Sequence, residues 1–176
     1  YAQGVSSIAS GQNSFAVGGN VSANQSFAFA QGSQSSAGGV SSHAEGVGTI
    51  TVGEGSHTEG NNTVTSGSYS HAEGIGTTTI GSGSHSEGHN TYATNDYSHA
   101  EGDNTVTSGS YSHAEGVGTT TIGSGSHSEG HNTYATNDYS HAEGDNTVTS
   151  GSYSHAEGVG TTTIGSGSHS EGHNTY

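Results

Sequence analysis

Short runs of alternating apolar and polar residues, separated by Gly and Asn, recur through the chain. One clear example is Ser-His-Ala-Glu-Gly at residues 98–102, followed by Thr-Val-Thr-Ser-Gly at residues 105–109. Side chains alternate across a β-strand, so His99 and Glu101 share one face while Ala100 lies on the other. Each run is therefore predicted to form a short strand, bounded by turn-forming residues.

These runs repeat with a period of 14 residues. The pentapeptide Ser-His-x-Glu-Gly occurs ten times at this spacing, and the block 97–138 is repeated without change from residue 139 until the chain stops at residue 176. A unit of this length is too short for a repeat that contains a helix, but it suffices for one coil of two strands. The pattern therefore predicts an all-β fold, a parallel β-solenoid with 14-residue coils.

The second strand of the unit indicates which side faces the interior. The position of Thr105 is occupied by Thr in the neighbouring units, and the position of Thr107 by Thr or Ala, whereas the position of Val106 changes between Val, Thr and Tyr. We expect the uniform small columns to point inward and the variable column outward. Residues such as Gly102 and Asn104 then supply turns, because Gly and Asn tolerate positive φ.

Composition narrows the class of protein. The chain has 15 acidic residues, no Lys and no Arg, which excludes nucleic-acid binding through a basic patch. It has no Cys and therefore no disulfide framework. No apolar run approaches the ~18 residues of a membrane span, so we expect no membrane contact by this segment. Low hydrophobicity is also typical of disordered chains, but strict periodicity favours stacked coils.

The array divides by composition into two stretches of one continuous repeat domain. Residues 1–40 form more apolar coils, and residues 41–176 carry the Ser-His-x-Glu-Gly coils. The pattern starts and stops within a unit, and the chain contains no Met. We therefore expect this stretch to belong to a longer fibre.

The apolar coils carry a resemblance to a known family. The segments Asn-Ser-Phe-Ala-Val-Gly at residues 13–18 and Ser-Phe-Ala-Phe-Ala at residues 26–30 closely resemble the N-S-V-A-I-G repeat of YadA-type head domains. These domains occur in trimeric autotransporter adhesins and also have 14-residue units. The Ser-His-Ala-Glu-Gly coils are similar to arrays in phage tail and surface fibre proteins.

The resemblance implies a left-handed parallel β-roll, assembled side by side as a homotrimer. It further implies a non-enzymatic, structural and adhesive role, extracellular at a bacterial surface, with a host matrix or cell-surface receptor as partner. His43 and Glu45, with their repeats, stand where the family repeat has Val and Ile. A polar ladder would then replace an apolar one, either in the roll interior or at the trimer contact.

This ladder is interpreted as structural. Buried bare carboxylates are costly, and a His on the same face can neutralise each Glu through a charge-assisted hydrogen bond. Ten equivalent copies without a unique nucleophile or cleft argue against catalysis. The ladder residues are His43, Glu45, His57, Glu59, His71, Glu73, His85, Glu87, His99, Glu101, His113, Glu115, His127, Glu129, His141, Glu143, His155, Glu157, His169 and Glu171.

Metal binding is the less favoured interpretation of the same residues. A column through His99, Glu101, His113 and Glu115 offers metal ligands, but a regular ladder provides no distinct four-ligand pocket. We therefore expect neither a metal nor another cofactor.

Other side chains are assigned to the surface. The turns are expected to hold His89, His131 and His173 in contact with solvent. The candidate adhesive residues are Tyr92, Tyr111, Tyr134 and Tyr153, because exposed aromatic side chains supply contact area at low entropic cost. The alternative for these Tyr is packing on the neighbouring coil.

Three alternative functions remain open from the sequence. A phage tail or tail-associated fibre shares the trimeric β-architecture, and a self-assembling extracellular filament would use the same coils. Ice binding is suggested by Thr-x-Thr pairs, although these columns are predicted to point inward. The pairs are Thr63 and Thr65, Thr77 and Thr79, Thr105 and Thr107, and Thr119 and Thr121.

Overall fold

The computed structural model describes all 176 residues and contains 25 β-strands. Strands of five residues, such as His113–Val117, alternate with strands of two residues, such as Thr120–Thr121. Long strands pair in parallel at a shift of one unit, which places His113 beside His127 and Glu115 beside Glu129. The predicted all-β parallel solenoid of 14-residue coils is confirmed. No helix is present that could cross a membrane.

The first of two compact units spans Tyr1–His89. Its odd-numbered strands pair in chain order into one sheet, and its even-numbered strands pair into a second sheet. The strands are β1 (Ala2–Val5), β2 (Ile8–Ala9), β3 (Phe15–Gly19), β4 (Ser22–Ala23), β5 (Phe29–Ser33), β6 (Ser36–Ala37), β7 (His43–Val47), β8 (Ile50–Thr51), β9 (His57–Asn61), β10 (Val64–Thr65), β11 (His71–Ile75), β12 (Thr78–Thr79) and β13 (His85–His89).

The second unit, Asn90–Tyr176, has the same construction. Its odd-numbered and even-numbered strands again form two separate parallel ladders. The strands are β14 (Tyr92–Ala93), β15 (His99–Asp103), β16 (Val106–Thr107), β17 (His113–Val117), β18 (Thr120–Thr121), β19 (His127–His131), β20 (Tyr134–Ala135), β21 (His141–Asp145), β22 (Val148–Thr149), β23 (His155–Val159), β24 (Thr162–Thr163) and β25 (His169–His173).

Small side chains fill the space between the two sheets of each coil. Ala100, Thr105 and Thr107 are fully buried, whereas His99 and Val106 are only partly buried. The predicted inward and outward faces of the short strands are therefore confirmed. The change in composition near residue 40 falls within the first unit and does not interrupt the ladder, because Phe29 pairs with His43.

Buried hydroxyl groups satisfy backbone carbonyls inside the coil. The hydroxyl of Ser112 donates to the carbonyl of Gly109 at 2.5 Å, which closes the turn before β17. Thr121 Oγ1 donates to the carbonyl of His113 at 2.9 Å and lies 2.5 Å from Ser128 Oγ. Thr119 differs, because its buried Oγ1 has no hydrogen-bond partner. The two inner Thr columns therefore have different hydrogen-bonding environments.

Positive φ occurs inside the long strands as well as in the turns. Gly102, which was predicted to lie in a turn, is instead part of β15, and its equivalent Gly116 is part of β17. Gly116 has φ 118°, and a Cβ atom built there would lie 2.0 Å from the carbonyl oxygen of Gly130 in the next coil. Only Gly permits this approach. Asn104 has φ 56° and Gly118 has φ 67°, the left-handed region that these two residue types enter most easily.

Candidate functional site: the His–Glu ladder and the exposed tyrosines

The His–Glu ladder lies on the outer face of the long strands. In β17, Ala114 points inward and is fully buried, while the side chains of His113 and Glu115 remain 36% and 47% exposed. The same inward and outward alternation recurs in every Ser-His-x-Glu-Gly coil. The ladder therefore does not line the roll interior but lies on the surface of the chain.

Each coil brings its His and Glu side chains together. The distance from His Nε2 to Glu Oε2 is 3.5–4.0 Å in nine of the ten coils, within ion-pair range but longer than a normal hydrogen bond. Along the ladder the imidazole rings contact one another, with centroids 4.4–4.9 Å apart. The column begins with the stacked rings of Tyr1, Phe15 and Phe29, and Phe29 meets His43 edge-on.

Burial lowers the pKa of five ladder imidazoles below the usual value of 6.5. Desolvation is the largest cause, neighbouring imidazoles add to it, and nearby Glu side chains oppose it. This direction favours the neutral imidazole near neutral pH and weighs against the predicted imidazolium–carboxylate pairing for these five side chains. The five are His43, His71, His113, His127 and His141.

The inner edge of the imidazole column is shielded from water. The Nε2 atoms of His71, His113, His127 and His155 are buried and have no hydrogen-bond partner, although their rings are about one third exposed. Unsatisfied buried donors or acceptors cost about 1–3 kcal/mol each. Because these Nε2 atoms are buried within the chain, a second surface would meet the exposed parts of the rings and of the Glu side chains instead.

The ladder residues do not converge on a metal. No group of three or more His, Cys, Asp or Glu side chains is arranged to hold a metal ion. The rings of His99 and His113 stack with centroids 4.7 Å apart, and each lies beside its own Glu, at 3.8 Å to Glu101 and 3.9 Å to Glu115. Four ligands around one point, as zinc requires, are not formed by this column. The surface also has no pocket.

The three additional His residues lie at the ends of long strands and not in turns, which corrects the prediction. His89, His131 and His173 are the last residues of β13, β19 and β25, and all three are exposed. The ring of His131 reaches the next coil, where its Nδ1 lies 2.9 Å from Asp145 Oδ1. Strand pairing extends one residue further than the Gly before each His suggested, and this creates the contact between coils.

The outer face of the short strands is uncharged throughout. In β18 and β20 this face presents Thr120 and Tyr134, followed just beyond the strands by Ile122 and Thr136. Ile122 is 50% exposed and Tyr134 is 40% exposed. The Thr-x-Thr columns point the other way and are fully buried. The Thr-x-Thr columns that suggested ice binding are therefore not at the surface of the chain.

The four candidate adhesive Tyr residues occupy two separate places. Tyr92 and Tyr134 lie on the short-strand face and are 41% and 40% exposed. Tyr111 and Tyr153 lie instead in the turns before β17 and β23, at φ 57°, and are 69% and 67% exposed. The four residues therefore do not form one adhesive surface.

Three further Tyr residues in the turns, Tyr69, Tyr97 and Tyr139, were missed by the sequence analysis. Tyr97 stacks on Tyr111, and Tyr139 stacks on Tyr153, each pair with ring centroids 5.1 Å apart. The signal in the sequence was the 14-residue separation within each pair, equal to the spacing of the coils.

The sequence matches no protein-family model and no curated protein. The likeness to YadA-type heads therefore rests on the repeat residues themselves and remains a resemblance.

Proposed function

We propose that this chain is a non-enzymatic segment of an extracellular fibre, the structural and adhesive head of a bacterial surface protein. The 14-residue coils support the proposal, together with the Asn-Ser-Phe-Ala-Val-Gly motif at residues 13–18, in which Ser14 and Ala16 are buried. Within each unit, coils that hydrogen-bond to their neighbours form a scaffold suited to presenting a surface. In this proposal the roll is left-handed and three chains assemble side by side.

One observation carries the choice of contact face. Outward-facing His and Glu are identical in ten consecutive coils, whereas the outward position of Val106 on the short strands changes from coil to coil. In a symmetric side-by-side assembly, each coil meets the same coil of another copy, so one set of contacts serves every layer. We assign the long-strand outer face to the homotrimer contact.

The first coils support the same face. Phe15, Val17 and Phe29 project outward from β3 and β5 and are partly exposed. Phe29 and Gln31 pair in register with His43 and Glu45, so the apolar column continues directly into the ladder. Apolar residues would contribute burial at one end of the contact. Further along, the partly exposed imidazole rings and Glu side chains of one copy would pack against those of another.

Sedimentation equilibrium tests the assembly. A native mass of about three times the 17.4 kDa chain is expected. A monomer would refute the trimer, and a much larger species would favour a self-assembling filament. The phage-fibre alternative predicts the same mass and is separated from the adhesin by the attachment modules encoded beside this segment.

Paired substitutions test the contact face. Glu115→Arg with Glu129→Arg reverses two charges on the long-strand face, a change of two units at each residue. This variant is expected to convert trimers to monomers. Thr120→Arg with Tyr134→Arg is the matched control, because it adds two charges to the short-strand face and should leave the mass unchanged. Circular dichroism verifies folding of both variants. If only the control dissociates, the contact lies on the short-strand face instead.

A further inference from the structure

A column of turn residues, one before each long strand, adopts the left-handed backbone conformation. Every residue in it has φ between 56° and 67°. The column consists of Asn13, Phe27, Ser41, Gly55, Tyr69, Gly83, Tyr97, Tyr111, Gly125, Tyr139, Tyr153 and Gly167. Gly occupies this region freely, whereas a bulky side chain pays roughly 1–2 kcal/mol. Tyr at five of these positions therefore points to a use for the ring beyond forming the turn.

In the second unit, the tyrosine rings form pairs separated by a glycine. Tyr97 stacks on Tyr111, and Tyr139 stacks on Tyr153, with planes inclined by 11° in both pairs. Gly125 stands between the pairs, and a Cβ atom built on it would lie 2.9 Å from the ring of Tyr139. The ring of Tyr139 thus lies over Gly125, with one face directed toward Tyr111.

Exposure shows that the gap at the glycine is open. Tyr111 adjoins Gly125 and is 69% exposed, whereas its stacking partner Tyr97 is 58% exposed. The second pair behaves in the same way, with Tyr153 at 67% and Tyr139 at 58%. The extra exposed area belongs in each case to the ring that has a glycine, and not a tyrosine, in the following coil.

The size of the gap follows from the stacking. Ring planes in contact are about 3.5 Å apart, so two coil steps separate the planes of Tyr111 and Tyr139 by about 7 Å. This separation admits one flat group between the two rings. We call the space bounded by Tyr111, Gly125 and Tyr139 the tyrosine slot.

The surroundings of the tyrosine slot are acidic. Asp138 directly precedes Tyr139, and its Oδ1 accepts a hydrogen bond from the Ser124 backbone N–H at 2.8 Å, which fixes the carboxylate beside Gly125. A carboxylate has further acceptor capacity after one such bond. The chain as a whole carries 15 acidic residues and no Lys or Arg. A flat group with positive charge is therefore favoured over a flat neutral one.

We propose that the tyrosine slot binds the guanidinium group of an arginine side chain on a basic partner protein. Guanidinium is planar and cationic, stacks on aromatic faces and pairs with carboxylates, whereas the lysine ammonium is a compact point charge. The inference rests on the proposed adhesive role, because it specifies the chemical group of the partner that the fibre would bind.

Calorimetric titration of the full chain with two blocked pentapeptides tests the proposal. Both have a Gly/Ser background, and one has a central arginine where the other has a central lysine. The arginine peptide is expected to bind about fivefold more tightly, the difference that one exposed cation–π contact supplies. Gly125→Tyr should abolish this preference, because the added ring would fill the tyrosine slot and continue the stacking already present between Tyr97 and Tyr111. Gly118→Asn, outside the tyrosine slot, is the control that should retain it.

A second variant keeps the backbone and both rings intact. Asp138→Asn removes the carboxylate beside Gly125 while preserving an acceptor for the Ser124 N–H, and it should weaken arginine binding several-fold. Equal binding of the two peptides by the parent chain, or a preference that survives in both the Gly125→Tyr and the Asp138→Asn variants, would overturn the proposal. Tighter binding of maltose than of the arginine peptide would also overturn it, in favour of a sugar site.

The outcomes separate this inference from the proposed function. A monomeric chain that prefers the arginine peptide would refute the trimer and support arginine binding at the tyrosine slot. A trimer without any preference for arginine would support the fibre and refute arginine binding at the slot.

Discussion

Two threonines in one coil are expected to respond oppositely to the same substitution. Thr119 and Thr121 both point inward, both are fully buried and both are β-branched. Replacement of either by Val exchanges a hydroxyl for a methyl group of similar size. The Thr121 hydroxyl bonds to the His113 carbonyl and contacts Ser128 Oγ, whereas the Thr119 hydroxyl has no partner. The pair therefore separates the energetics of hydrogen bonding from those of packing.

The magnitudes follow from these contacts. Thr119→Val removes a buried polar atom without a partner, and the free energy of unfolding should rise by about 1–2 kcal/mol. Thr121→Val removes two hydrogen bonds of about 1 kcal/mol each and leaves Ser128 Oγ without this partner. The free energy of unfolding should therefore fall by about 2–4 kcal/mol.

Urea denaturation followed by far-ultraviolet circular dichroism measures both changes. The two variants and the parent chain are compared at equal protein concentration, so that any assembly affects all three alike. Repeat arrays can unfold in stages, and hydrogen exchange at β17 and β18 then reports the local stability of this coil. Equal destabilisation by both substitutions would refute the reasoning, because it would mean that the Thr119 hydroxyl is also satisfied.

The remaining predictions concern the turns and the ladder. Gly116→Ala should lower the free energy of unfolding by more than about 3 kcal/mol, because its Cβ would meet the Gly130 carbonyl at positive φ and disturb the strand ladder. Gly118→Asn, which copies the residue at Asn104, should be nearly neutral, and similar urea midpoints for the two variants would contradict the assignment. Stability should be greatest above pH 6.5 and fall as the pH decreases toward the folded-state pKa of imidazoles such as His113, because the unfolded chain binds their protons first. Nuclear magnetic resonance titration of labelled imidazoles checks this, and ring protonation at pH 7.5 would refute it.

Much of the fold could be predicted because the same pattern of strand and turn residues recurs in every 14-residue unit. The 14-residue spacing set the coil length, and strand alternation put Ala100 and His99 on opposite faces, although only burial in the structure shows that Ala100 is the inner one. Positive φ at Gly102 and Asn104 was also predictable, although Gly102 lies within β15 and only Asn104 follows the strand. Each of these features depends on residues within one coil or on the repeat of that coil.

Features that depend on contacts between coils were harder to predict. The sequence suggested that the His–Glu pairs were charged, but each imidazole stacks on imidazoles of adjacent coils, and the resulting burial and mutual repulsion lower the pKa of His113 and others. The contact of His131 with Asp145 and the stacking of Tyr97 on Tyr111 likewise join residues 14 positions apart. The geometry of these contacts depends on the conformation of each side chain, and residue type and spacing do not specify that conformation.

The sequence by itself determined the coil length, the strand positions and the identity of every column, because backbone alternation and turn chemistry act over a few residues. The tertiary structure alone decided which hydroxyls find partners, which imidazoles have a lowered pKa and where a glycine opens a gap between rings. Those properties depend on distances of a few ångströms between neighbouring coils. Thr119 and Thr121 illustrate the difference, since identical residues two positions apart differ only in what lies across the interior.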